Sequence, residues 1–174
     1  MKTGPRDARD SQGSFAFWNR ATECLEAAKL LRRHSGAKNP QFLLLCLAIE
    51  LALKGFLRGI GADVHELRTK FGHDIAMLST ESEKKGLQIC GFHTGSNARK
   101  TLAVATDYFI PKDFTYTAKS VGLSRELRSL FCIAEAVVGA VEKPCRENME
   151  RHSGSSTGLQ RDTKPTTRKT KGSK

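Results

Sequence analysis

Residues 39–61, NPQFLLLCLAIELALKGFLRGIG, decide the fold. Pro40 suits the first position of a helix, because proline lacks the N–H that the first turn leaves unpaired, and Asn39 sits where a capping side chain belongs. From Phe42 to Leu57 the segment is apolar on almost every helical face. A helix of that composition belongs at the centre of a bundle, with other helices around it. Its longest apolar run, Phe42 to Ile49, is too short to cross a bilayer. The exceptions to its apolar character are Glu50 and Lys54, one turn apart and in the favourable order of acid before base. Charges on a core helix are costly unless paired. The two are therefore expected to meet each other or partners on neighbouring helices, fixing packing or a subunit interface.

Further helices flank this one. SFAFWNRATECLEAAKLLRRH, from residue 14, places Trp18, Ala21, Leu25, Ala28 and Leu31 on one stripe, with Ser14 as N-cap and Gly36 past the end. Trp18, with Phe15 and Phe17, reads as core or subunit contact. A third helix is predicted from His73 through HDIAMLSTESEKKGL, with Ile75, Leu78 and Ser82 inward and Gly86 closing it. SNARKTLAVATDYF, residues 96–109, is a fourth, stopped by Pro111. Residues 111–122 read as an irregular connection. The last helix starts at Ser124 as N-cap, buries Leu127, Leu130, Phe131, Ala134, Val137 and Val138, and ends at Lys143 and Pro144. No convincing strand pattern or internal repeat appears. The expected fold is all-α, an up-and-down bundle of about five helices over residues 14–148. A disordered lead-in (1–13) would precede it and a disordered basic tail (149–174) would follow.

The chain carries 29 Lys and Arg against 18 Asp and Glu, a net charge of +11 that favours anionic partners such as RNA. The surplus is uneven: residues 151–174 hold seven basic side chains, among them Arg161, Lys164, Arg168, Lys169 and Lys171, against Asp162 alone. That tail has one leucine and no aromatic residue after Ser153, too little to bury for folding. Its charge predicts weak, salt-sensitive, non-specific nucleic-acid binding, and a solvated tail without a partner is the plainer alternative. Cysteines 24, 46, 90, 132 and 145 are odd in number and widely spaced, which reads as free thiols in a reducing compartment. No zinc-type spacing occurs, and Cys90-x2-His93 lacks a second half, so neither metal nor cofactor is expected. The N-terminal MKTGPRDARDSQGS has no apolar signal-peptide core, which points to a cytoplasmic protein without membrane association.

The stretch with most chemical content is HELRTKFGHDI, residues 65–75. Arg68 and His73 are separated by four residues. Cutting RNA without a metal needs a base for the 2′-OH and a cation for the developing phosphorane charge. His73 can serve as the base, since an imidazole titrates near neutrality. Arg68 can grip the phosphate in a bidentate fashion, with Lys70 adding field. The first-turn amides of the third helix offer a further anion site, which Asp74 opposes. A purely structural reading fits the same residues. His73 caps the helix, Asp74 complements its dipole, Gly72 makes the turn, and Arg68 and Lys70 are solvated loop charges.

The order of these features resembles the HEPN domain, a superfamily of small helical bundles. The elements that carry the likeness are AIELALKGFL with Glu50-x3-Lys54, KFGHDIAML with Gly72-His73-Asp74, then DYF and FTY before a long final helix. Together they span roughly residues 15–143. The resemblance implies a homodimer. It also implies either metal-independent RNA cleavage by an Arg-x4–6-His motif, a nucleotidyltransferase-fold partner in toxin–antitoxin or defence systems, or binding of RNA or nucleotides without catalysis. In the nuclease branches that motif lies towards the last helices, whereas Arg68-x4-His73 follows the second. Thr117 also stands after Tyr116, where relatives often carry Arg. The expected function is therefore a HEPN-like module that binds RNA, a nucleotide or a protein partner. A ribonuclease using His73 and Arg68 comes next, and a purely architectural helical adaptor third.

Overall fold

The chain is all-α. The computed structural model describes residues 9–35, 37–89, 96–109 and 124–153. Among these are α1 (Arg9–His34), α2 (Lys38–Gly59), a single turn α3 (Val64–Glu66) that continues as a π turn (Leu67–Phe71), α4 (Ile75–Lys84), α5 (Ser96–Phe109) and α6 (Ser124–Ser153). No strand occurs among the described residues, and none of their helices is long and apolar enough to cross a membrane.

Helix α2 is the centre that its composition predicts. It touches α1, α6, α4 and α5, and Phe42, Leu45, Ile49, Leu53 and Leu57 on it are fully buried. Trp18, Ala21, Leu25 and Ala28 of α1 and Leu130, Ala134, Val137 and Val141 of α6 complete the main core. Trp18 is thus a core residue, and its indole N–H donates to the carbonyl of Val138 at 3.1 Å, tying α1 to α6. Helices α4 and α5 add a smaller layer. Ile75, Leu78 and Ser82 of α4 are buried, and the Ala76 N–H donates to Thr106 of α5. Gly86 closes α4 as expected: at φ +93° it takes the left-handed conformation, and the Leu87 N–H reaches back to the Ser82 carbonyl.

Three helix ends and one connection differ from the sequence reading. Ser14 is not an N-cap, because α1 already begins at Arg9, within the expected lead-in. Ser14 instead points inward, 1% exposed; its hydroxyl donates to the Gly55 carbonyl at 2.8 Å, and its oxygen lies 3.2 Å from Cys145 Sγ. The N-cap of α2 is Ala37, with no side-chain bond, so Asn39 and Pro40 are exposed first-turn residues. Helix α6 does not stop at Pro144 but runs through it to Ser153, five residues past the expected boundary at 148. Proline forfeits one helical hydrogen bond there, and tertiary anchors beyond it hold the helix together. Cys145 is fully buried, and the Asn148 side chain donates to the Gly59 carbonyl, one of the acceptors left open at the end of α2. The connection expected between the second and third helices is helical as well, as α3 and the π turn. Residues 1–8, Gly36, the connection at 111–122 and the tail from residue 154 lie outside the described residues.

Helices α1 and α2 pack tightly at Gly55, where a Cβ would lie 3.1 Å from the Ser14 carbonyl oxygen and 3.2 Å from Phe17 Cβ. Main chain lies on the other side, so an added side chain has to push the helices apart. Gly55→Val should lower the unfolding free energy by about 1–3 kcal/mol, the usual cost of overpacking, measured by urea denaturation. Unchanged stability would mean that the close approach does not constrain the fold.

Candidate functional site

Glu50 and Lys54 lie on α2 under the turn that leads into α4, only 3% and 8% exposed. Their positions one turn apart make a salt bridge, Lys54 Nζ to Glu50 Oε1 at 2.5 Å. The ammonium also donates to the carbonyl of Gly72 at 2.6 Å. The other carboxylate oxygen, Glu50 Oε2, lies 3.1 Å from Nδ1 of His73. Two residues of one helix thus hold both ends of the Gly72–His73 step. Of the two expected alternatives, partners on neighbouring helices or each other, the pair meets each other, and both also reach the turn before α4.

The backbone makes this reach possible. Gly72 has φ +52° and ψ −115°, a conformation that side-chain-bearing residues rarely adopt, and it turns the chain from the π turn into α4. The cap of α4 is Asp74, whose carboxylate accepts from the Met77 N–H at 2.7 Å. The capping role considered for His73 therefore belongs to its neighbour, and the imidazole is free to turn to Glu50. Asp74 also takes up a first-turn amide that an outside anion would need. Across the ring, Phe109 of α5 meets His73 edge-on at 5.6 Å between centroids. Even so, the His73 side chain stays 58% exposed.

Arg68 and Lys70 project from the π turn, both exposed. No hydrogen bond or ion pair among the described residues joins Arg68 to His73, so the spacing that suggested a catalytic pair does not make a bonded one. Lys70 is 3.4 Å from Glu66 and sits over the Phe71 ring at 4.9 Å. It also borders a shallow cleft of about 300 Å³ with Ile60, Phe71, Glu66, Glu81 and Lys85. Two acids balance two bases there, and His73 is not on its rim, so the cleft lies beside the site rather than within it. Arg161, Lys164, Arg168, Lys169 and Lys171 lie outside the described residues, as do Cys90 and His93.

Cys46, one turn before Glu50, is fully buried, and burial followed by the Glu50 charge pushes its thiol well up. It is a packed thiol, not a nucleophile. No group of three or more His, Cys, Asp or Glu side chains among the described residues is placed to hold a metal ion. The arrangement offers an oriented, exposed imidazole with two exposed cations nearby, a combination suited to holding a phosphate and to moving a proton. Glu50 and His73 are each conspicuous in the sequence, but not as a pair. They are 23 residues apart, and no local spacing links them. No family model matches the chain, and no curated protein or solved structure is significantly similar to it.

Removing Glu50 leaves the Lys54 ammonium buried without its carboxylate. Glu50→Ala should cost about 3–5 kcal/mol of stability, while Glu50→Leu combined with Lys54→Met should recover most of that loss. Chemical denaturation of the three proteins checks this, and equal stabilities would show that the pair is not energetically coupled.

Proposed function

We propose that this chain is a HEPN-like helical module that binds RNA through the face where the π turn meets α4. One observation carries the reading: Arg68, Lys70 and His73 are all exposed within six residues of chain, and the histidine ring is held by a buried carboxylate. Guanidinium and ammonium groups supply phosphate contacts, and the net charge of +11 favours a polyanion. The order of elements supports the HEPN likeness: a central helix bearing Glu50 and Lys54, the Gly72–Asp74 entry to α4, α5 ending in Asp107-Tyr108-Phe109, and a long last helix. In that family setting a second copy of the chain or a nucleotidyltransferase-fold protein is the partner to seek by co-purification.

Metal-independent RNA cleavage is the second reading, and the Glu50–His73 contact favours it. A ring held through Nδ1 has its other nitrogen available to take the 2′-OH proton, with Arg68 on the phosphate.

Fluorescence anisotropy with a labelled single-stranded RNA tests the binding over a series of salt concentrations. If Arg68 and Lys70 each neutralise a phosphate, Arg68→Ala with Lys70→Ala should flatten the slope of log affinity against log salt by about 1.4, two contacts at roughly 0.7 each. Unchanged affinity and slope would move the binding elsewhere and refute this face. Incubation in EDTA of the wild type beside His73→Gln tests cleavage, which the second reading expects only from the wild type.

A further inference from the structure

We infer that Glu50 is a positioning residue for His73: it fixes which ring nitrogen carries the proton, so that Nε2 is the bare nitrogen offered to a ligand. The inference rests on the RNA-binding reading of this face and goes beyond it by assigning a role to a buried residue, 3% exposed, beneath the exposed ring.

The hydrogen-bond inventory leaves little choice. The Lys54 ammonium has only donors, and it is within bonding distance of Glu50 Oε1 and the Gly72 carbonyl. Glu50 therefore pairs one oxygen with a cation, as the carboxylate of a salt bridge. An ionised carboxylate accepts and never donates. Its second oxygen lies 3.1 Å from Nδ1 of His73, where two bare acceptors would repel, so the ring meets it with an N–H. The neutral imidazole then has its hydrogen on Nδ1 and a lone pair on Nε2. Nδ1 is tied to a side chain that is 5% exposed, while the His73 side chain as a whole is 58% exposed. Phe109 against the ring limits rotation about the remaining torsion. Nε2 is thus preset as an acceptor for a ribose hydroxyl, or as a base for its proton.

Replacing Glu50 by glutamine keeps the shape and reverses the logic. Lys54, a pure donor, can face only the amide oxygen, which places the amide NH2 where Oε2 was. That group donates, so Nδ1 must become the acceptor and the hydrogen moves to Nε2.

The test is long-range proton–nitrogen NMR on the full chain labelled with ¹⁵N-histidine, at mildly alkaline pH where imidazoles are neutral. His73→Gln identifies the signals. Wild type should show His73 with its hydrogen on Nδ1, and Glu50→Gln should show it on Nε2. A wild-type ring with its hydrogen on Nε2, or a mixture of the two forms, overturns the inference. Should Glu50→Gln fail to fold, the wild-type spectrum alone decides. RNA affinity of the same wild-type sample is measured beside it. The Nδ1–H form in a protein that binds no RNA would support the role of Glu50 while overturning the functional reading.

Discussion

A salt bridge buried inside the most apolar helix is the constraint on which the site depends. Glu50 and Lys54 lie almost out of reach of water, where an unpaired charge is untenable. Each satisfies the other and still has bonding capacity left over: a carboxylate oxygen on one side, ammonium hydrogens on the other. The chain answers both needs with the same two residues, the Gly72 carbonyl for Lys54 and the His73 ring for Glu50. Burial of the pair thereby dictates where the turn before α4 has to pass.

The rest of the bundle keeps α2 in place for this. Helix α1 lies so close that Gly55 leaves no room for a side chain, and Ser14 bonds across the gap. Helix α6 locks both, through the Trp18 indole at one level and Asn148 at the end of α2. Against that rigid three-helix core, α4 and α5 form a thinner layer whose contribution to the site is a surface: Phe109 beside the ring, and Asp74 capping α4 so that His73 need not. A charged pair surrounded by packed apolar side chains is a poor source of stability but a precise way to fix geometry, the use best attested for buried polar groups.

Much of this was legible in the sequence, for physical reasons that also explain the failures. The apolar run from Phe42 to Leu57 has one stable solution, burial among other helices, so the fold class followed from it. The stop at Gly86 was readable because glycine acts locally. Ser14 and Pro144 misled for the same reason in reverse: each carries a local stop or start signal that long-range contacts override. At Ser14 these are the bonds to Gly55 and Cys145, at Pro144 the anchoring of Cys145 and Asn148. For the site, the charge pair was evident from spacing four, whereas its partners were not, since 18 and 23 residues of chain separate Lys54 from Gly72 and Glu50 from His73. The spacing of Arg68 to His73 was the more conspicuous signal. The π turn leaves both side chains exposed without a bond between them.

Hydrogen exchange, read segment by segment by mass spectrometry, tests the central claim that this buried pair holds the turn. Lys54→Met keeps a side chain of similar length but cannot donate to Gly72. The account predicts faster exchange across residues 67–74 in the variant, with protection of α1, the N-terminal half of α2 and α6 close to that of the wild type. Unchanged exchange across 67–74 would contradict it, because the turn would then be held by something other than the charges beneath it.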